Sequence, residues 1–297
     1  MAYDLKNKLV VAISSRALFD LEEENRLFDK KGLSAYYKYQ IKNESNILKP
    51  GSAFAFVKNL LEINKEFDEK LIEVVILSRN NAATGLRIRK SIEHYGLDID
   101  RAGWSAGESI SRYLEAFSVD LFLSAHQDDV QDAINSGIAA ARIIPKRYKK
   151  RNKDHTVRIA FDGDAVLFSD ASERIYKKKG LEAFLKHERK NAQKPLPKGP
   201  FAKLLKVVSA IQSKFPLEKS PIRTALITAR NFSTFERVIR TFEAWNVRVD
   251  EAFFLGGVEK GKVVRSFRAD IFFDDQDVHL KNVSTKTPSA KVPYKSD

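Results

Sequence analysis

The densest chemistry lies in Thr156-Val157-Arg158-Ile159-Ala160-Phe161-Asp162-Gly163-Asp164-Ala165-Val166-Leu167-Phe168-Ser169-Asp170. A short β-branched and apolar run ends in two carboxylates that flank a glycine. The run has the composition of a buried strand. Open α/β sheets place their ligand sites at strand C-termini, and glycine lets the backbone turn sharply there. A carboxylate pair so placed suits phosphoryl transfer. One carboxylate can attack phosphorus and form an aspartyl-phosphate. The other, two residues on, can protonate the leaving oxygen and later deprotonate a water. Both can help hold Mg2+, a hard cation that takes oxygen ligands. A plain polar turn after a core strand would carry the same three residues, so the rest of the chain has to decide.

Three further elements follow the pair. The run Ala225-Leu226-Ile227 ends at Thr228-Ala229-Arg230. A hydroxyl at a strand tip before a helix N-terminus is a phosphate grip. Lys260 opens an amphipathic helix after Gly256-Gly257, where an ammonium offsets charge on the nucleophile and the transferring group. Ile271-Phe272-Phe273 is a buried strand ending at Asp274-Asp275, which can close a Mg2+ shell. Each element has a dull explanation, as helix cap, surface lysine or polar loop. Acid pair, hydroxyl, lysine and second acid pair in that order form a specific pattern.

The elements around these residues predict an α/β protein. Apolar strands stand at Val10–Ile13, Val74–Leu77 and Val119–Leu123. Helical stretches run over Asp20–Asn25, Leu33–Asn43, Phe54–Phe67 and Thr84–Tyr95. The chain also repeats itself. At one constant offset Arg26, Lys31-Gly32-Leu33, Lys42, Asn43 and Gly51 meet Arg174, Lys179-Gly180-Leu181, Lys190, Asn191 and Gly199. At a slightly larger offset Asn81, Thr84, Arg87, Asp100 and Asp120 meet Asn231, Thr234, Arg237, Asp250 and Asp270. These matches predict two homologous halves, 1–148 and 149–297. Where chemistry would sit the halves differ. Asp162-Gly163-Asp164 faces Ser14-Ser15-Arg16, Thr228 faces Ser78, Lys260 faces Ile110, and Asp274-Asp275 faces Ser124-Ala125. One working site in the second half and one degenerate copy is the economical reading.

Composition bounds the rest. The 297 residues are 43% hydrophobic, ample for a buried core, and include no cysteine, which excludes disulfides and thiolate metal sites. The segment Met1–Lys8 has no long apolar core of a signal peptide. No apolar run approaches the roughly 20 residues that span a bilayer. A soluble, cytoplasmic protein without membrane attachment is expected. The net charge of +13 attracts anions. Its sharpest run, Lys146-Arg147-Tyr148-Lys149-Lys150-Arg151-Asn152-Lys153, reads as a solvated linker, because no nucleic-acid-binding motif accompanies it.

On these residues the sequence resembles the haloacid dehalogenase-like phosphohydrolases. Within them it is more similar to the cytosolic 5′-nucleotidase type I family. The carrying stretches are Ala12–Phe19, Ala160–Asp170 with Ser172-Glu173-Arg174, Thr228-Ala229-Arg230 and Phe272-Phe273-Asp274-Asp275-Gln276. The resemblance spans about Lys8 to Tyr294. It implies two Rossmann-like halves from an internal duplication, with a small cap segment at about 170–203. It also implies a Mg2+-dependent hydrolase of nucleoside 5′-monophosphates, AMP or pyrimidine deoxynucleotides. Asp162 then matches the nucleophile and first metal ligand. Asp164 matches the acid/base, its carbonyl also reaching the metal. Thr228, with Ala229 and Arg230, matches the phosphate grip. Lys260 matches the superfamily lysine, with Lys262 close enough to confuse the assignment. Asp275 is the better match for the side-chain metal ligand, with Asp274 beside it.

Other roles stay open. Phe184 or His187 in the cap segment is a candidate base contact, though such residues more often pack the cap. Arg16, with Ser14, Ser78 and Asn80, would turn the degenerate site into a metal-free anion site for substrate or a regulatory nucleotide; otherwise that half is scaffold. Phosphosugar hydrolysis, or nucleic-acid binding over a vestigial site, are the alternatives. The second is disfavoured by a complete set of site residues. Two copies of one fold in a chain allow a monomer or a further dimer.

Overall fold

The apolar runs become the strands of one large sheet because each is buried on both faces, as parallel strands covered by helices must be. The structure, a computed structural model, describes residues 3–146 and 156–295. The basic run from Arg147 to Lys153 therefore lies outside the described residues. Lys146, at its start, is exposed and donates its backbone N–H to Ser52 Oγ (2.6 Å).

The strands are β1 (Leu9–Ile13), the two-residue β2 (Phe19–Asp20) and β3 (Lys49–Pro50), β4 (Ile72–Ser78), β5 (Arg101–Trp104), β6 (Leu121–Ser124) and β7 (Ala139–Ile143). Then follow β8 (Val157–Phe161), β9 (Ile222–Thr228), β10 (Glu251–Phe254), β11 (Ile271–Asp274) and β12 (Ser289–Lys291). β2 and β3 pair apart from the main sheet, whose order is β10-β9-β8-β11-β12-β7-β6-β1-β4-β5. Its neighbours are parallel except at the central seam, where β12 meets β7 antiparallel, Ala290 opposite Ile143. Outward from the seam both halves run fifth, fourth, first, second and third long strand. The direction of travel across the sheet reverses beside β1 and beside β8. Such reversals open a crevice at the strand C-termini.

The helices are α1 (Ser15–Leu18), α2 (Glu22–Lys42), α3 (Phe54–Ile63), α4 (Ala82–His94), α5 (Ser111–Leu114) and α6 (Gln127–Asn135) in the first half. The second half has α7 (Ala171–Lys190), α8 (Ala202–Gln212), α9 (Phe235–Trp245), α10 (Lys260–Phe267) and α11 (Asp277–Val283). α3 packs on β8 as well as β4, and α8 on β1 as well as β9. One core therefore runs beneath both halves. Beneath the β8 terminus the rings of Phe161, Phe201 and Phe273 cluster at 4.8 to 6.3 Å between centroids.

Residues paired by the sequence repeat make equivalent contacts. Asp120 accepts the Val10 N–H (3.0 Å), and Asp270 accepts the Arg158 N–H (2.8 Å), each tying a fourth long strand to a first. Arg87 Nε donates to the Asn46 carbonyl (2.8 Å) and Arg237 Nε to the Lys194 carbonyl (3.0 Å). Gly32 and Gly180 kink α2 and α7 alike, at φ 75° and ψ −177° and at φ 77° and ψ −179°.

Some boundaries differ from expectation. The two helical stretches around Lys31-Gly32 are present and meet at the non-helical Gly32 within α2, the first of them running on past Asn25. The helix expected to Phe67 stops at Ile63, and Asn64 then takes the backbone N–H groups of Leu71 and Ile72 on its side chain. The strands β5, β7, β10 and β12 were not foreseen. β5 and β10 are half-exposed edge strands, and β7 is Ala-rich, a composition with little strand propensity.

The kinks generate a prediction. An added Cβ meets nothing within 4 Å at Gly32 or Gly180, so the glycine requirement is conformational, in a backbone region nearly reserved to glycine. Gly32→Ala and Gly180→Ala should each cost about 1–3 kcal/mol in denaturant unfolding.

Candidate active site

The site is assembled where β8, β9 and β11 end. Asp162 follows β8 directly, and its backbone N–H donates to the Phe273 carbonyl (2.8 Å), fixing the strand end against β11. Its Oδ1 accepts the Gly163 N–H (2.7 Å) and lies 2.8 Å from Lys260 Nζ. Lys260 opens α10, as expected, and its ammonium is buried. The same Nζ donates to Asp274 Oδ2 (2.7 Å). Asp274 Oδ1 accepts the Gln276 N–H (2.8 Å), and His279 Nδ1 stands 3.2 Å from Oδ2. Burial opposes the charge on Asp274, but His279 and Lys260 hold its carboxyl below the ordinary range. Burial also opposes the ammonium, yet Asp162 and Asp274 hold Lys260 above its usual value. Lys262 is exposed, so geometry separates the two candidate lysines.

Asp275 is differently placed. Its Oδ2 accepts the Tyr294 hydroxyl (2.5 Å), while its Oδ1 is buried without a hydrogen-bond partner among the described residues. Burial first, and then the charge of Asp162, push Asp275 up to about 8. Burial likewise pushes Asp162 up to about 7 against the pull of Lys260, with Asp274 and Asp164 adding to the rise. Two raised carboxyls and one orphaned oxygen mark more negative charge than a single ammonium neutralises. That donor set fits a hard divalent cation. Ligand atoms of Asp162, Asp274 and His279 also converge within 4.8 Å. Lys260 already bridges the two carboxylates there, however, which leaves the side facing Asp275 to a cation.

Asp164, the expected acid/base, is gripped by Arg230. Arg230 Nε and Nη2 donate side-on to the two Asp164 oxygens, each at 2.7 Å. The third corner, Nη1, donates to Glu188 Oε2 (2.5 Å) on α7. The other Glu188 oxygen accepts Arg237 Nη1 (2.7 Å) and the Ser172 hydroxyl (2.9 Å). Burial works to raise the Glu188 carboxyl, but Arg230 and Arg237 outweigh it and hold it below the usual glutamate value. The Arg230 side chain, expected on a phosphate, is thus spent on carboxylates, because its fork matches their geometry. Thr228 ends β9, buried, and its Oγ1 accepts the Arg230 N–H (3.3 Å). A Cβ at Gly163 would sit 3.1 Å from that hydroxyl, a contact tight enough that the hydroxyl would have to shift by a few tenths of an ångström. Ala229 between them is exposed. Ala165 adopts a left-handed φ of 60° next to Asp164, a cost of about 1 kcal/mol carried at the turn.

Other expected residues fall elsewhere. Phe184 is buried, its ring 5.3 Å from the Arg230 guanidinium and 6.2 Å from Tyr176, so it packs α7 and is not open to a base. His187 is half-buried, with its carbonyl accepting the Asn191 amide (2.9 Å). In the first half Arg16 is not a free cation. Its Nε and Nη2 fork onto Glu22 (2.7 and 2.9 Å), and Nη1 donates to Asn25 (2.9 Å). Ser78 pairs with Ser15 (2.9 Å), and Asn80 donates to Ser15 (3.1 Å) and accepts the Tyr36 hydroxyl (2.8 Å). Ser14 Oγ meets the Ala125 N–H at 3.4 Å. Arg16 thus already has a carboxylate partner, and the serines and Asn80 form a separate set of hydrogen bonds.

Glu188, His279 and Tyr294 join the site without having been foreseen. Glu188 carried a signal, since the repeat sets it against Gln40. His279 and Tyr294 carried none.

A parallel sheet whose switch point carries buried carboxylates, a bridging lysine and a strand-tip hydroxyl has the layout of a phosphate-handling α/β enzyme. A family model described as 5′-nucleotidase matches residues 1–297, and the chain belongs to this family of phosphoric monoester hydrolases. It is 38% identical over 287 residues to a human protein, cytosolic 5′-nucleotidase 1B, which bears out the resemblance to the type I members. The match covers 93% of this chain and 47% of that relative, so the chain spans about half the relative's length. No solved structure matches it. Among the described residues no helix is long and apolar enough to cross a membrane.

Lys260→Met should cost about 3–5 kcal/mol of stability, because it leaves two buried carboxylates unpaired. Lys262→Met should stay within about 0.5 kcal/mol. Paired denaturant titrations check the contrast.

Proposed function

We propose that the chain hydrolyses nucleoside 5′-monophosphates, AMP or pyrimidine deoxynucleotides, to nucleoside and phosphate, with Mg2+ and through an aspartyl-phosphate on Asp162. The observation that carries the proposal is the buried Asp162 carboxylate, set at the switch point between Lys260 and the orphaned oxygen of Asp275. The relative's name, a cytosolic 5′-nucleotidase, supports the substrate class and the compartment. Asp162, Asp275 and the Asp164 carbonyl would hold Mg2+, which supplies charge neutralisation for the phosphate dianion. Residues 1–148 and 149–297 are proposed as halves of an internal duplication, each Rossmann-like. The first serves as scaffold, and the segment 170–203 covers the site.

The chemistry then falls to this chain's own residues. A phosphate seats on the Thr228 hydroxyl and the Ala229 and Arg230 backbone amides. A carboxylate oxygen of Asp162 attacks phosphorus as the ester P–O bond breaks. Asp164 gives its proton to the departing 5′-oxygen, and the nucleoside leaves. Asp164 next takes a proton from a water, whose oxygen attacks the phosphoryl group. The acyl-phosphate P–O bond breaks, phosphate departs and Asp162 is regenerated. Lys260 stays between Asp162 and Asp274 and offsets the charge that builds on the phosphoryl oxygens. Phosphate-monoester hydrolysis is among the slowest uncatalysed reactions, with accelerations up to about 10^21, so positioning and charge have to supply most of the barrier reduction.

Phosphate release from a panel of 5′- and 3′-nucleoside monophosphates and sugar phosphates, with Mg2+ and with EDTA, tests the proposal. Release is expected from 5′-monophosphates only, abolished by EDTA and by Asp162→Asn. Release mainly from sugar phosphates would keep the chemistry and overturn the substrate.

A further inference from the structure

The two halves solve the same buried-arginine problem differently, and the difference points at Arg230. In the first half Arg87 Nη1 is paired with the Glu24 carboxylate (2.7 Å), and Gln40 adds an amide oxygen (3.0 Å). In the second half the repeat places Ser172 against Glu24 and Glu188 against Gln40. Arg237 Nη1 now takes Glu188 (2.7 Å), and Ser172 merely donates to that carboxylate. The carboxylate has changed helix position while its arginine partner has not.

A carboxylate at either position neutralises the Arg87 or Arg237 guanidinium, so this pairing does not choose between them. The next neighbour does. In the first half Gln40 reaches Tyr36 (3.0 Å), and Tyr36 donates to Asn80 (2.8 Å). In the second half Arg230 stands at the Asn80 position, and the second oxygen of Glu188 accepts its Nη1 (2.5 Å). The carboxylate lies at 188 in the half where residue 230 is an arginine and where that arginine forks onto Asp164. Glu188 holds Nη1, and the Phe168 and Phe184 ring centroids lie 5.8 and 5.3 Å from the guanidinium carbon. Nε and Nη2 then meet both Asp164 oxygens at 2.7 Å.

We infer that Glu188 is a positioning residue for the hydrolysis proposed above, acting through Arg230 to set the Asp164 carboxyl where it exchanges its proton with the leaving oxygen. The inference rests on that functional reading. Because Glu188 lies on α7, the seating of that helix and the aim of Asp164 are one event.

The chain supplies its own control. Ser172→Glu combined with Glu188→Gln copies the Glu24 and Gln40 arrangement of the first half, which keeps Arg237 paired and removes the carboxylate from Arg230. kcat/KM is measured for a nucleoside 5′-monophosphate and for p-nitrophenyl phosphate, whose leaving group departs without a proton. The double variant should lose about 100-fold toward the nucleotide, the low end of general-acid contributions. It should lose less than about threefold toward the aryl ester, with its melting temperature close to wild type. Arg230→Lys keeps the charge and loses the fork, so it should give the same selective loss, and adding it to the double variant should cost nothing more. Equal losses on both substrates, no loss on either, or additive losses would overturn the inference. A wild type that cleaves the aryl ester but no nucleotide overturns the functional proposal itself, and that shows before any variant is made.

Discussion

The ammonium of Lys260 is the fixed point of the second half. Two carboxylates, Asp162 and Asp274, sit within 2.8 Å of it in a place closed to water. Buried like charges at such spacing are prohibitive without a cation between them. Three elements must therefore converge on one nitrogen: β8 delivers Asp162, β11 delivers Asp274, and the first turn of α10 delivers the lysine. The lateral order β9-β8-β11 brings the three together, but the first half keeps the same order, β4-β1-β6, without the lysine, so the packing of apolar strands sets the order and the lysine uses it. His279 and the Gln276 amide complete the shell of Asp274.

The first half shows what the sheet does when the demand is lifted. Ile110 stands at the position of the lysine, and Ser14, Arg16, Ser124 and Ala125 stand at the positions of the four carboxylates. An isoleucine beside those carboxylates would strand buried negative charge, so lysine and carboxylates are present together in one half and absent together from the other. The crevice fills with hydroxyls and amides that pair with one another, from Ser15 through Ser78 and Asn80 to Tyr36 and Gln40. The first half also serves as packing, because α3 lies on β8 and α8 on β1 and the larger core is shared, while a smaller cluster around Phe267 and Phe272 belongs to the second half alone.

Strand-end chemistry could be read in the chain because it is local. Asp162, Thr228, Lys260 and Asp274-Asp275 each abut an apolar run whose end is visible, and the repeat marked which half to trust. The kinks of α2 and α7 were visible as Lys-Gly-Leu in both halves. Roles set by partners far along the chain could not be read. Arg230 looked like a phosphate ligand until Asp164 and Glu188, 66 and 42 residues away, claimed its donors. Phe184 looked like a base platform until the same guanidinium covered it. Arg16 looked like a vacant cation until Glu22 took it. In each case a charged or aromatic side chain was assigned by its neighbours in sequence, whereas buried charge is assigned by whatever neutralises it in space.

Charge accounting argues for a divalent ion independently of the family. When Asp164 is ionised, it and Glu188 are balanced by Arg230 and Arg237, while Lys260 sits on Asp274 and Asp162. Asp162, Asp274 and Asp275 therefore share one ammonium, and two negative charges are in excess. The Asp162 and Asp275 carboxyls rise to about 7 and about 8, which is the response of such an excess left to itself, a proton taking the place of the missing charge. A monovalent cation would leave one negative charge facing an incoming phosphate dianion. For the hydrolysis proposed above, a divalent cation held by the orphaned Asp275 oxygen would bring the site to neutrality and would remove the repulsion of a phosphate dianion. The +13 of the whole chain helps the approach from a distance but does not substitute for charge at the reacting atoms, since beyond about 8–10 Å it is screened by salt.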